Sequence, residues 1–487
     1  MKTEIVLPNV ANFIKSIRDV GYTFEVSIAD IIDNSISARA VNIKIIALSS
    51  PELIVNILDN GYGMDEKELV EAMRLASKNP NLQRDKNELG KFGLGLKTAS
   101  FSQCKKLTVI SKKNNNISIR QWDLDYIEEK NEWFLITPNI DEYKNNSYFQ
   151  ELQNLNSGTL VIWEKIDRYK KDRFSSKIDK LMNHLSLVFH RFLEKNFNPL
   201  NIYVNESKLK AFNPFNPEHL ATLEKKTEII RFSNHKIEVT PYILPHHSKV
   251  SKREWDYYAT EDGYTKSQGF YLYRENRLLI YGTWWGLLKP SDATKLVRIK
   301  IDITNDQDEL WGIDVKKSTA NPITELKQDL KRILQESIKD GIKPYSKRAK
   351  KIEDKTTINF WDLAINDKKI YFKINKKHPI YEKIEEKLDD KLRVLFDIYL
   401  KGLEHYIPLE AIEYHIQQNS HNIFQKELLN EDDIEELIRQ LKEVGMNKED
   451  IEKLLKTEIF KERKEVINEQ LLSKDKRVYI WKTKKQV

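Results

Sequence analysis

The first 196 residues alternate between two hydrophobic spacings. In "EVSIADIIDNSISARA" (25–40), apolar residues recur at positions 28, 31, 32 and 36, the spacing of one helix face. The runs "VNIKIIAL" and "ELIVNILD" are rich in β-branched residues and predict two strands. Further strands are predicted at 107–111, 117–123 and 158–166, and a long helix, capped by a serine, at 175–196. The pattern predicts an α/β domain over residues 1–196.

A second α/β domain is predicted over residues 197–345. It opens with the strand–turn–strand pattern "LNIYVNESKL" and contains a hairpin, "GFYLYRENRLLIYG" (269–282), that turns at Glu275 and Asn276. The polar stretch 246–268 is predicted to be a long loop. After the strand "LVRIKIDI", the segment "WGIDVKKSTANP" (311–322) predicts another strand that leads through Pro322 into a helix.

The C-terminal residues, 346–487, are predicted to be mainly helical, after a charged linker at 346–355. Gly445 is expected to end one helix, and Asn447 with Asp450 forms an approximate capping box for the next. The sequence predicts no role for this region.

Composition narrows the class of protein. The chain has 487 residues, of which 40% are hydrophobic and 32% charged, and no apolar run approaches the roughly 20 residues that span a bilayer. Cys104 is the only cysteine, so an internal disulfide is excluded, and a cytoplasmic location without membrane contact is expected. The net charge of +7 is compatible with nucleic-acid binding without arguing for it.

Three short motifs carry the candidate chemistry, and the first lies on the helix of residues 25–40. Asp30 and Asn34 are four residues apart and therefore share one helix face. By themselves these residues are as compatible with a solvated charge at Asp30 and a capping or turn residue at Asn34 as with a functional pair.

The second motif is "ILDNGYGMDEKEL" (57–69). Asp59 ends a strand that is predicted to be buried, where its carboxylate can accept a hydrogen bond from an amino group such as that of adenine. Gly61 and Gly63 allow the backbone to approach a flat ring closely. The "DNG" triplet is also typical of a hairpin turn, but the helical pattern after Met64 argues against a partner strand.

The third motif is "GKFGLGLKTAS" (90–100), with Gly90, Gly93 and Gly95. A glycine-rich turn that enters a helix presents backbone N–H groups and the helix dipole to phosphates. The spacing is neither that of a P-loop nor that of a dinucleotide-binding fingerprint, and in isolation it is compatible with an ordinary loop.

Taken in order, these motifs resemble the superfamily of gyrase, Hsp-type chaperones, histidine kinases and MutL (GHKL), within which the chain is most similar to the MORC and MutL branch. "SGTLVIWEKI" (157–166) supplies the expected fourth element. The resemblance covers roughly residues 10–345. It implies an N-terminal Bergerat α/β sandwich, a second "transducer" domain with a ribosomal-protein-like fold, and ATP and Mg²⁺ as ligands.

The resemblance also implies roles for individual residues. Asn34 would coordinate Mg²⁺, and Asp30 would be the base that activates the attacking water. The adenine pocket would be lined by Asp59, Gly61, Gly63, Met64 and Thr159. The phosphates would be bound by Gly90, Gly93 and Gly95, with Lys97 nearby. Lys317 of the second domain, or its neighbour Lys316, would sense the γ-phosphate.

Asp30 departs from the family, which usually has glutamate at this position. Aspartate is one methylene shorter, and a displacement of about 1 Å can lower a rate on the order of 100-fold. The resemblance therefore implies slow hydrolysis, or a helix that lies closer to the phosphates.

The function predicted from the resemblance is a slowly hydrolysing ATPase that acts as an ATP-gated, homodimeric clamp. DNA is the expected client, in repair, silencing or defence against foreign DNA, with a nuclease or another effector as a further partner. The tail at 474–485, with six basic and two aromatic residues, suits nucleic acid but is also compatible with a plain basic terminus. The alternatives are an Hsp-type protein chaperone, a histidine kinase, and a nucleotide-binding regulatory module with little hydrolysis.

Overall fold

The computed structural model describes residues 3–4, 9–75, 95–171, 174–314, 319–349, 357–366, 369–412, 415, 434–454, 456–457 and 459. By internal contacts the chain divides into two compact units, one of residues 1–249 with 253–341 and one of residues 250–252 with 342–487. The predicted α/β class is confirmed, because each unit combines sheet and helices. Among the described residues, no helix has the length and apolar character that crossing a membrane requires.

The first unit begins with a mixed sheet and its covering helices. In chain order, the elements are α1 (Val10–Arg18), α2 (Phe24–Ser37), β1 (Asn42–Leu48), β2 (Ile54–Asp59), α3 (Glu66–Met73), α4 (Gly95–Gln103), β3 (Cys104–Lys113), β4 (Asn116–Asp123), α5 (Leu124–Lys130), α6 (Ser147–Asn154), β5 (Gly158–Ile166), α7 (Phe174–Val188), α8 (His190–Leu193), β6 (Asn201–Val204) and β7 (Ser207–Lys208).

The strands of this first sheet follow the order β4-β3-β5-β2-β1-β6-β7, with β2 between β5 and β1. Successive residues of β2 face opposite sides: Ile57 packs in a large core with α2, α4 and α7, and Leu58 packs in a smaller cluster with α6. The sheet is therefore covered on both faces, and β2 carries Asp59 to its buried end. The "LNIYVNESKL" strands, β6 and β7, belong to this sheet, because β6 runs parallel to β1.

A second sheet completes the first unit. Its elements are β8 (Leu223–Glu224), β9 (Glu228–Phe232), β10 (His235–Ile243), α9 (Lys252–Ala259), α10 (Tyr264–Ser267), β11 (Gly269–Arg274), β12 (Arg277–Thr283), β13 (Val297–Ile303) and α11 (Thr324–Ala349), of which residues 324–341 belong to this unit. The strand order is β12-β11-β13-β10-β8, with β9 also paired to β10, and the predicted hairpin at Glu275 and Asn276 joins β11 to β12. The ribosomal-protein-like fold of this domain stays a prediction.

Two local predictions for the second sheet are wrong. The stretch 246–268 is not a long loop, because it contains α9 and α10, which bring Trp255 and Tyr264 into a buried ring stack at 4.0 Å. Residues 311–314 form a turn instead of a strand. Gly312 has a φ of +51° there, and Ile313 donates its N–H back to Asp308.

The C-terminal unit contains a hairpin that the sequence did not indicate. It consists of β14 (Trp361–Asn366) and β15 (Lys369–Ile374), followed by α12 (Pro379–Glu385), α13 (Asp390–His405), α14 (Ile434–Glu443) and α15 (Lys448–Leu454). The capping box is confirmed: Asn447 and Asp450 each accept the other's backbone N–H, at 3.1 and 2.9 Å. Gly445 follows α14 with a φ of +83°, as expected for a helix end.

Candidate functional site

Helix α2 places Asp30 inside the first unit. The helix begins after Thr23, whose hydroxyl caps it, and Asp30 is only 2% exposed. Its Oδ2 atom accepts a hydrogen bond from the Tyr22 hydroxyl at 3.0 Å, and its Oδ1 atom lies 3.7 Å from Nη2 of Arg277. A methyl group on Gly95 would lie 3.9 Å from Oδ2, so the carboxylate is adjacent to the first residue of α4. A buried acid thus lies beside a helix N-terminus.

The Tyr22 hydroxyl acts as a fixed donor to Asp30. Burial, followed by the negative charge of Asp30, raises the pKa of Tyr22 well above its ordinary value. The phenol therefore keeps its proton at neutral pH and orients one oxygen of the carboxylate. Tyr22 precedes the helix cap, and nothing in the sequence pattern marked it as a site residue.

Asn34 lies one turn beyond Asp30 on α2, but its side chain is exposed. No group of three or more His, Cys, Asp or Glu side chains that could hold a metal ion occurs among the residues described. Mg²⁺ in nucleotide sites commonly takes one or two protein ligands, with phosphate oxygens and water supplying the rest. An accessible asparagine carbonyl fits that requirement.

Asp59 lies at the end of β2, directly opposite Thr159 of β5. Its Oδ1 accepts the Gly61 N–H at 2.9 Å, and its Oδ2 accepts the Ser35 hydroxyl at 2.8 Å. Burial raises the pKa of Asp59, and the hydrogen bonds from Gly61, Ser35 and the Thr159 backbone offset part of that rise. The result is a buried, oriented acceptor with its nearest donors on three different elements.

The turn after Asp59 packs tightly against neighbouring backbone. A Cβ on Gly61 would lie 2.8 Å from the Ala38 Cβ, and Gly63 has a φ of +66° with no room for a side chain. Beyond the turn, α3 opens with a capping box between Asp65 and Glu68. The sequence predicted that the chain continues into a helix after this turn and not into a hairpin, and that prediction is confirmed.

Ser111 of β3 links the turn after Asp59 to β5, and the sequence motifs did not identify it. Its hydroxyl accepts the Met64 N–H at 2.8 Å and lies 2.9 Å from the Thr159 hydroxyl. It also lies within hydrogen-bond distance, 3.1 Å, of the Gly158 carbonyl. The sequence feature that could have identified Ser111 is its place at the end of the apolar run "LTVIS", because a polar side chain in a buried strand needs a hydrogen-bond partner.

The phosphate-loop residues are described in part. Gly95 begins α4, as predicted, and the buried Lys97 donates from Nζ to the Ala72 carbonyl at 2.9 Å, which ties α4 to α3. Gly90, Gly93, Lys316 and Lys317 lie outside the described residues. Their predicted roles stay predictions.

The second sheet contributes a residue to the site that the sequence did not suggest. Arg277, at the start of β12, donates from Nε to Oδ1 of Asp33 at 2.7 Å, and its side chain is 3% exposed. Asp33 is 1% exposed, so the two charges are buried against each other. The hairpin predicted from the sequence therefore reaches the helix that carries Asp30.

Comparison with known proteins agrees with this geometry. The sequence model of a family described as "Histidine kinase-, DNA gyrase B-, and HSP90-like ATPase" matches residues 22–159, a range that runs from Tyr22 to Thr159 and so spans both carboxylate sites. A mouse (Mus musculus) protein named "ATPase MORC2B" is 30% identical over 96 residues, which is 19% of this chain and 9% of the mouse protein. The chain thus matches about a tenth of that relative's length. Residues 22–159 thus match the GHKL ATPase superfamily, and part of the chain is similar to a MORC ATPase.

Proposed function

We propose that this protein binds ATP with Mg²⁺ between α2, α4 and the end of β2, and hydrolyses it slowly. The observation that carries the proposal is the pair of buried carboxylates. Asp59 is held as an acceptor at the end of β2, and Asp30 is held beside the N-terminus of α4. Two acids in these positions suit the two ends of a nucleotide.

The base end of the nucleotide would be read by Asp59. Ser35 and Gly61 direct N–H and O–H donors at the carboxylate, which fixes its plane and leaves an oxygen lone pair for the adenine amino group. Gly61, Gly63, Met64 and Thr159 would line the pocket. Replacement of a hydrogen-bonded partner in such a pocket costs affinity because the opposing polar group is left unpaired.

The phosphate end would lie against α4, where Gly90, Gly93 and Gly95 would offer backbone N–H groups and Lys97 would hold the helix in place. Asn34 would ligate Mg²⁺, which supplies charge neutralisation to the phosphates when bound. Asp30 would accept a proton from the attacking water as the water oxygen bonds to the γ-phosphorus and the bond to ADP breaks. Lys317, or Lys316, would contact the γ-phosphate from the second domain.

We further propose that ATP binding closes two copies of the chain into a clamp on DNA, in repair, silencing or defence against foreign DNA. The similarity to a MORC ATPase supports this proposal, together with the direct contact of the second sheet with α2 through Arg277. A contact of that kind offers a physical route from the nucleotide pocket to the rest of the unit.

Single-turnover hydrolysis tests the chemistry. We expect Asp30→Asn to bind ATP but to lose hydrolysis, and Asp141→Asn, which alters an exposed carboxylate elsewhere in the domain, to match the wild type. Equal rates for Asp30→Asn and wild type would exclude Asp30 as the base. Turnover absent from the wild type would favour a nucleotide-binding regulatory module.

Two binding measurements test the clamp. A non-hydrolysable ATP analogue should convert monomer to dimer in size-exclusion chromatography, and an oligomeric state that ignores nucleotide would refute gated dimerisation. DNA binding across a salt series, with and without ATP, should show a salt-resistant fraction only with ATP, because simple phosphate contacts weaken steeply with salt. Salt-sensitive binding that is the same with and without nucleotide would refute topological clamping.

A further inference from the structure

Arg277 occupies a rigid position on the second sheet. It is the first residue of β12, directly after the two-residue turn at Glu275 and Asn276, whose φ values of +48° and +70° are typical of a tight hairpin. The turn is tied to the end of β13: Glu275 donates its N–H to the Ile303 carbonyl, and the Asn305 N–H donates to Glu275 Oε1, both at 3.3 Å. Movement of this sheet would therefore carry Arg277 with it.

The guanidinium of Arg277 contacts two carboxylates one turn apart on α2. Nε donates to Asp33 Oδ1 at 2.7 Å, and Nη2 lies 3.7 Å from Asp30 Oδ1. All three side chains are at most 3% exposed. A planar fork of donors suits such a double contact, whereas the single nitrogen of a lysine would have to lie within reach of both carboxylates at once.

The guanidinium of Arg277 has other neighbours besides the two acids, and its Nη1 atom also donates to the Leu278 carbonyl at 3.3 Å. The aromatic ring of Phe189 lies 5.7 Å from the guanidinium carbon. His184 is the neighbouring titratable group on α7. Burial and the positive charge of Arg277 lower the pKa of His184 to about 4, so the imidazole is neutral near pH 7. Arg277 is then the positive charge that the second sheet brings to the two carboxylates.

We infer that Arg277 is a positioning residue for ATP hydrolysis, which holds Asp30 in place from the second sheet. The inference rests on the proposed function, in which Asp30 is the base. Asp30 contacts Tyr22 through one oxygen and faces Arg277 with the other, so its orientation depends on the domain that carries α2 and on the second sheet. Because the base is an aspartate, with one methylene less reach than glutamate, small shifts of α2 matter more. Rearrangement of the second sheet would thereby raise or lower turnover without touching the nucleotide.

Arg274 provides a matched control. It lies at the other end of the same turn, is buried, and forms an ion pair through two hydrogen bonds, at 3.0 and 2.8 Å. Its partner Asp308, however, lies shortly after β13 of the same second sheet and not on α2. Arg274→Lys and Arg277→Lys therefore make the same substitution in a buried arginine that is paired with an aspartate. Only Arg277→Lys touches α2.

The experiment is steady-state ATP hydrolysis by the full chain for wild type, Arg277→Lys, Arg277→Gln and Arg274→Lys. We expect Arg277→Gln to lower kcat on the order of 100-fold, Arg277→Lys about tenfold, and Arg274→Lys less than about twofold, with KM for ATP within about threefold throughout. Hydrogen exchange of residues 24–37 should rise in both Arg277 variants and not in Arg274→Lys.

Arg277→Gln leaves the carboxylates of Asp30 and Asp33 without the positive charge of Arg277. If this variant fails to fold, the double variant Asp33→Asn/Arg277→Gln removes one of these two negative charges. It should fold and still show the lowered kcat. Folded Arg277 variants with wild-type kcat, or with KM raised as much as kcat falls, would overturn the inference while wild-type turnover upholds the ATPase. A wild type that binds ATP without turnover would overturn both, and the exchange data would then show whether Arg277 is still a structural tie to α2.

Discussion

Replacing Gly63 by alanine tests the packing of the turn that follows Asp59. Gly63 has a φ of +66°, and an added Cβ would lie 2.0 Å from the Lys112 carbonyl oxygen and 3.2 Å from that of Gly158. Both are backbone atoms of paired strands and cannot rotate away. Gly286, with a φ of +77° and no atom within 4 Å of its added Cβ, is the matched control for backbone conformation alone.

The two variants differ only in the steric contribution. A left-handed conformation costs alanine roughly 1–2 kcal/mol, and a less flexible unfolded chain returns about 0.4–1 kcal/mol, so Gly286→Ala should lose about 1 kcal/mol. At Gly63 the contact must open from 2.0 Å to at least 3.0 Å, and overpacking of this kind adds about 1–3 kcal/mol. We expect Gly63→Ala to lose about 2–4 kcal/mol.

Urea unfolding followed by tryptophan fluorescence measures the difference, and nucleotide binding supplies the functional readout. A shifted turn would also move the Met64 N–H away from Ser111, so Gly63→Ala should bind ATP more weakly and Gly286→Ala should not. A difference in unfolding free energy below about 0.5 kcal/mol between the variants would refute the reasoning, because surface substitutions vary by that much.

Three further changes have defined outcomes. Asp59→Asn should weaken ATP binding in calorimetry by about 10–100-fold. Burial raises the pKa of Asp59 above 3.8, so the wild type loses stability as pH rises through the folded-state pKa. The melting temperature of Asp59→Asn relative to the wild type should therefore rise from pH 3 to pH 7. A relative melting temperature that falls over this range would contradict the prediction. Tyr22→Phe should lower kcat about tenfold at an unchanged dissociation constant for ATP, and an unchanged kcat would exclude the hydroxyl as an orienting group. Burial raises the pKa of the Cys104 thiol, so Ellman's reagent at pH 8 should label it only on unfolding, and rapid labelling of the native protein would refute that burial.

Local pattern was sufficient to predict the elements of the site. Hydrophobic spacing identified α2 and β2, and the glycines with the helical run after Met64 identified a turn into α3 instead of a hairpin. These features depend on neighbours in sequence, since periodicity and backbone freedom are properties of a few consecutive residues. The same reasoning failed at 246–268. Polar composition suggested a loop there, but the segment contains two helices whose aromatic side chains stack on each other.

Long-range contacts were decided only by the tertiary structure. The register of β2 and β5 sets Asp59 opposite Thr159, and packing brings Arg277 to Asp33 across 244 residues. A buried carboxylate needs a hydrogen-bond donor or a positive charge nearby. The chain has 81 lysines and arginines, and the sequence does not show which of them lies within the few ångströms that a side chain reaches. Which basic residue meets α2 depends on where the second sheet packs, because that placement alone brings the start of β12 within hydrogen-bond distance.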